Sequence, residues 1–327
     1  MANLNLPLSR RSALQLPAAT GLAAALAASG LPLQAQAQST RLADSTPEII
    51  ELGAARIELY TRDAFDPLTR AEASIWVKRS AEVVSAYLGR FPVARPKITL
   101  VPVGGRGISS GITFNGPPPS IRVQVGQDTT RAGFLDDWIM VHEMVHLAIP
   151  QLPRYNNWFH EGAATYVEII ARAQAGLTSW DAVWGQLVQR LHQGLPQAGD
   201  AGLDNTHTWG RTYWGGALFC LLADVEMRKR SNNRYGLQDA LAGLLKTGAN
   251  YGQSWTLLRT LETADKAVGL TVLSEQYARM KDQPVATDLP QLWADMGISL
   301  AGNRVSLRED APLAGARRAI AMGNTAT

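Results

Sequence analysis

Residues 141 to 150 read VHEMVHLAIP, and three of them could do chemistry together. His142 and His146 are one helical turn apart, so on a helix both imidazoles leave the same face. Two ring nitrogens placed that way reach a single cation at roughly 2.0–2.1 Å. Glu143 lies ~100° round the helix from His142, beside such a cation rather than on it. From there a carboxylate can take a proton from an activated water. The five residues alone also fit an apolar core helix whose histidines are merely hydrogen-bonded, so the neighbouring sequence has to decide.

A catalytic zinc takes a third protein ligand and keeps one position for water. The segment NNWFHEGAATYVE, residues 156 to 168, offers Glu161 near the start of the next helix. Pro150, Pro153 and two asparagines lie between, enough to reverse the chain and lay the second helix against the first. His160 adjoins Glu161, but consecutive helical side chains point ~100° apart, so the two do not share one ion. His160 is therefore cleft-lining or structural. Thr165, one turn after Glu161, stands where a hydroxyl can orient a ligand histidine. Glu168 reads equally well as a solvated helix residue and stays outside the site.

Taken in order, HEMVH and WFHEGAATYVE resemble the gluzincin metallopeptidases, in particular the aminopeptidase N-type and glycyl aminopeptidase-type families. In those families a Trp-x-x-Glu-Gly-x-Ala segment brings the glutamate ligand. The resemblance implies a thermolysin-like α+β catalytic domain with one Zn2+ per chain, held by His142, His146 and Glu161, and with Glu143 as catalytic base. Downstream, Tyr213-Trp214-Gly215-Gly216 resembles the Tyr-x-Lys-Gly element of both families, with Gly215 in place of the lysine. This implies that Tyr213 donates its phenol to the oxyanion of a tetrahedral intermediate. The plainer reading of Tyr213 is an aromatic staple at a helix start.

The resemblance covers about residues 138 to 245 and fails upstream. The aminopeptidases carry a Gly-rich element there, with a glutamate that grips the substrate's free amine. The comparable stretch here is VGGRGISSGITFNGPPPSIRV, and no acid occurs between Arg95 and Asp128. An amine anchor from that place is missing, so the aminopeptidase label does not transfer.

The elements that must position these residues follow from periodicity. ARIELY (55 to 60) and KITLVPV (97 to 103) read as strands, and PLTRAEASIWVKRSAEVVSAYLGRF (67 to 91) as a helix. SGITFNGPPPSIRVQVG reads as two short strands around a Pro-Gly turn. The second of these, with Ile121, Val123 and Val125, is expected to pair with an extended substrate by β-addition. One helix is predicted over 129 to 149. Others are predicted at 158 to 175, 180 to 193, 208 to 231, 236 to 246, 253 to 267, 270 to 281 and 289 to 296, and a strand returns at 304 to 309. Sheet first and helices after is an α+β order. The expected organisation is a β-sheet subdomain at 38 to 127, a helical zinc-binding subdomain at 128 to 300 and a C-terminal extension at 301 to 327.

Residues 1 to 37 read as an export signal. Arg10 and Arg11 form a twin-arginine pair, an Ala- and Leu-rich segment follows, and Ala35-Gln36-Ala37 fits a signal-peptidase site. The alternative is an uncleaved anchor, but Pro17, Gly21, Ser29 and Gly30 leave less than the ~20 apolar residues a span needs. The chain holds 31 Lys and Arg against 28 Asp and Glu. Only Arg10 and Arg11 fall in the signal, which has no acid, so the remainder is close to neutral. That balance gives no electrostatic footprint for nucleic acid. The single cysteine, Cys220, excludes an intrachain disulfide and sits in an apolar run. The expectation is an exported zinc peptidase, periplasmic or secreted, acting on a peptide or protein, with no membrane span after cleavage. The competing class is a gluzincin-fold binding or scaffold protein of the cell envelope with little or no turnover.

Overall fold

The computed structural model describes residues 46 to 61 and 65 to 323. The signal segment lies outside the described residues. The first element is an antiparallel pair, β1 (Glu48–Leu52) with β2 (Ala55–Thr61). The chain then enters α1, Pro67–Leu88. Asp66 caps it by accepting from the Leu68 and Thr69 amides, Pro67 supplies a ready-made φ, and Gly89 ends it in the left-handed region at φ 78°. Trp76, Val77, Ala81 and Val84 are buried in the core shared with the sheet.

After α1 come β3 (Lys97–Val103), β4 (Ile108–Phe114) and β5 (Ser120–Gly126), giving a five-stranded sheet in the order β1-β2-β3-β5-β4. β3 pairs in parallel with β2 and β5, while β4 runs antiparallel to β5. This corrects the expectation for Ile121, Val123 and Val125. They lie in an interior strand whose two edges are taken by β3 and β4, and all three are buried. A strand bonded on both sides has no ladder left for a substrate. The edge strand on that side is β4, which carries a bulge at Ser109.

The stretch expected as one helix over 129 to 149 is two: α2 (Arg131–Asp136) and α3 (Ile139–His146). The break falls at Asp137, whose backbone is extended. Its carboxylate accepts from the Met140 amide at 3.1 Å and from Trp76 Nε1 at 3.1 Å, so a capping side chain overrides helical propensity. Then follow α4 (Asn157–Gln174) and α5 (Trp180–Arg190), and a π-helical turn at Gly210–Gly215 runs directly into α6 (Gly216–Arg230).

The remaining helices are α7 (Leu237–Lys246), α8 (Leu257–Val268), α9 (Val272–Met280), α10 (Leu289–Asp295) and α11 (Ala314–Met322). The strand expected at 304 to 309 is half of a hairpin, β6 (Ile298–Ala301) with β7 (Arg304–Leu307). Buried Arg317 of α11 fastens the hairpin by donating to the carbonyls of Met296, Gly297 and Arg308. Cys220 is buried on α6. Among the described residues, no helix is long and apolar enough to cross a membrane.

Candidate metal centre

α3 and α4 lie against each other, joined by the proline-marked turn, and bring His142, His146 and Glu161 together. One donor atom from each lies within 4.8 Å of the others. His142 Nε2 is 3.3 Å and His146 Nε2 3.8 Å from the same carboxylate oxygen, Glu161 Oε2. The two histidines are buried, at 4% and 7% exposure, so few water molecules compete at the site.

Burial alone would favour the protonated carboxyl of Glu161, but the hydrogen bond to His142 and the charges of His146 and His142 outweigh it and hold the group down at about 2. Burial pushes His146 down to about 3, leaving it a neutral imidazole. At His142 burial pulls downward, yet the Glu161 bond and charge win and the value is raised. Two imidazole nitrogens and a carboxylate, the latter already ionised, form a donor set suited to zinc. The His142 Nδ1 is buried without a hydrogen-bond partner. The hydroxyl foreseen at Thr165 is thus not on that nitrogen, although Thr165 is itself buried on α4.

Glu143 points from α3 towards β4. Thr113 Oγ1 donates to its Oε2 at 2.7 Å and lies 3.0 Å from its main-chain oxygen. A Cβ at Gly111 would stand 2.5 Å from Glu143 Cγ and 2.8 Å from Oε1, so the strand approaches this closely only because residue 111 is glycine. Desolvation raises the Glu143 carboxyl above its ordinary value, against the lowering effects of His142 and Thr113.

Tyr213 sits in the π turn, its ring stacked 6.4 Å from that of His142 and 5.8 Å from that of Trp209. Burial, then the charge and hydrogen bonding of Glu161, push its phenol well up, so it stays neutral and able to donate. The approach of π turn and α4 again depends on absent side chains. A Cβ on Gly216 would meet Trp158 O at 2.1 Å and Gly162 Cα at 2.7 Å. The start of the π turn is pinned by a buried ion pair, Arg211 Nε to Asp200 Oδ2 at 2.7 Å, and by Arg211 Nη1 donating to Gly194 O.

No protein-family model and no curated protein matches the sequence. A solved structure does match the fold: an aminopeptidase N family protein from Idiomarina loihiensis, at a TM-score of 0.54 and 14% identity over 77% of this chain and 49% of that one. This chain has a gluzincin-type metallopeptidase fold. An M1 zinc metallopeptidase from Deinococcus radiodurans matches at a TM-score of 0.46 and 16% identity, over 74% of this chain and 52% of its own. A two-domain M1 zinc metallopeptidase bound to L-arginine matches at 0.48 and 16%, over 75% and 53%. The chain spans about half the length of these proteins.

Around the three donors, His160 takes the second of its two expected roles, while Glu168 departs from the expected one. His160 is structural: its Nε2 is 2.8 Å from the Pro150 carbonyl, and burial lowers it to about 4. Glu168 is fully buried rather than solvated, with Arg172 3.8 Å away, and its charge acts on His142. Thr113, Gly111 and Trp209 escaped sequence reasoning. The only signal for the first two was a pair of small residues two apart on a strand, which share one face.

Proposed function

We propose that this chain is an exported zinc-dependent peptidase that hydrolyses peptide bonds, and the observation that carries the reading is the convergence of three donor atoms beside a desolvated glutamate. His142, His146 and Glu161 would hold the ion. When bound, zinc supplies a Lewis acid that polarises a peptide carbonyl and brings water's pKa towards neutrality. Glu143 takes the proton of the attacking water on its carboxylate and hands it to the leaving amine nitrogen. Its raised basicity favours the first transfer. Tyr213, held as a neutral phenol, donates to the developing oxyanion. An extended substrate pairs with the edge strand β4 rather than with Ile121 to Val125.

The stretch from Arg95 to Asp128 holds no acid, and of the described carboxylates Asp200 is paired with Arg211 and Asp204 with Asn156, Trp158 and Tyr277. This supports cleavage without a grip on a free N-terminus, an endopeptidase-like mode. Elemental analysis of the purified protein is expected to find one zinc per chain, lost in the triple alanine variant of His142, His146 and Glu161. Glu143→Gln should keep the zinc and lose at least ~100-fold in kcat, since an amide cannot accept the proton. Zinc without any hydrolysis in the unaltered protein would favour the binding or scaffold reading.

We also place the protein outside the cytoplasm, through the twin-arginine route, on the strength of Arg10, Arg11 and Ala35-Gln36-Ala37. Changing both arginines to lysine should leave precursor in the cytoplasm. Normal export of that variant would assign the general secretory route.

A further inference from the structure

We infer that Thr113 is a positioning residue for Glu143: the β4 hydroxyl fixes the carboxylate in the orientation from which it moves protons. The inference rests on the peptidase reading above and adds to it a residue from the opposite side of the site.

Side chains of β4 alternate, so Gly111 and Thr113 face the same way, and here that face is turned to α3. Ile112 and Phe114 point to the other face and are exposed, at 54% and 40%. A strand that turns a glycine and a threonine inward while leaving isoleucine and phenylalanine in water reverses the usual burial preference. The reversal has a physical reason. The inward face must accommodate a carboxylate, and an apolar side chain there would desolvate it without a partner. Gly111 supplies the space, and Thr113 supplies the donor.

The bond itself is short and charge-assisted, at 2.7 Å from hydroxyl to Oε2. It matters because Glu143 is buried, where a carboxylate without a donor is costly. A Glu side chain has three rotatable bonds, and an unanchored carboxylate spends much of its time in rotamers from which no substrate proton is within reach. With Oε2 held by Thr113, Oε1 remains as the oxygen that takes the proton. The Thr113 hydroxyl acts through Glu143, and removing it leaves the β4 main chain that pairs with substrate unchanged, so its loss should lower kcat and leave KM nearly unchanged.

The test compares Thr113→Val, which keeps the shape and removes the hydroxyl, with Thr113→Ser, which keeps the hydroxyl. Thr113→Val is expected to lose about 10- to 100-fold in kcat, the range for a hydrogen bond to a charged group. Its KM should stay within about 2-fold and its zinc content should not change, while Thr113→Ser returns to within about 3-fold of the parent. Adding Thr113→Val to Glu143→Gln should cost nothing further, because the two residues act as one unit. A crystal structure of Thr113→Val should show the Glu143 carboxylate displaced or spread over several rotamers, a readout independent of turnover.

Near-parental kcat in Thr113→Val beside an inactive Glu143→Gln would overturn the inference and leave the peptidase reading standing. An active Glu143→Gln would overturn both. Loss of zinc or of thermal stability in Thr113→Val, not restored by serine, would reduce the residue to a structural one.

Discussion

Two of the close approaches that depend on a missing Cβ depend on it differently. Where α4 meets α6, Gly162 and Gly216 bring backbone against backbone, with 2.1 Å between a notional Gly216 Cβ and the Trp158 carbonyl. Where β4 crosses α3, Gly111 brings backbone against the side chain of Glu143. In the first place nothing can yield without parting the helix that carries Glu161 from the turn that carries Tyr213. In the second, the neighbours are side chains, Glu143 at Cγ and Oε1 and Ile139 at Cγ2, which yield more readily than backbone. The same device sets stability in one region and activity in the other.

The largest effect expected is that of Gly216→Ala. Forcing a methyl group into a backbone contact should lower unfolding free energy by about 3 kcal/mol, the upper end for overpacking. A urea titration measures it, and an unchanged midpoint would show that the two helices part at little cost. Next comes Gly111→Ala. Here kcat should fall about 100-fold while the unfolding free energy drops by less than in Gly216→Ala, about 1 kcal/mol. If stability and activity fell together, the distinction between the two regions would not hold.

The smallest effect concerns what β4 lacks. One peptide assayed with a free and with an acetylated N-terminus should show kcat/KM values within about 10-fold of each other, because the stretch from Arg95 to Asp128 holds no carboxylate to meet an ammonium. A preference for the free amine beyond ~100-fold, or ~2.7 kcal/mol, would mean that another acid supplies the grip.

The same contrast explains what was legible in the sequence. His142, Glu143, His146 and Glu161 could be read because helical spacing is local: four residues make a turn wherever the helix sits. Tyr213 was reachable only through resemblance, since its place opposite Glu161 comes from a crossing of two helices distant in sequence. The sheet was legible as strands but not as an order. RVQV alternates like a half-buried strand and ISSGITF hardly does, and pattern alone does not say which of the two has a neighbour on each side. In the fold the good pattern marks the interior strand, packed between β3 and β4. The poor pattern marks the edge, whose inward face is small to make room for a carboxylate. The break at Asp137 was hidden for a similar reason. Its partner Trp76 lies sixty-one positions away, so a local reading sees only an uninterrupted helical run.

The π turn at Gly210–Gly215 has a consequence for how this chain can change in length. A π turn holds one residue more than the α turn it replaces, and it behaves as an insertion stored inside a helix. The extra residue sets which way the ring of Tyr213 faces relative to α6, whose own direction is locked by the Gly216 contact. Deleting one residue ahead of Gly210 is absorbed in the preceding loop, before the segment that Arg211 pins. Deleting one between Tyr213 and Gly216 would let the turn relax to α-helical winding and rotate the phenol by ~100° about the axis, off the Glu161 side. Tolerance to single-residue deletions should therefore change abruptly across this one turn.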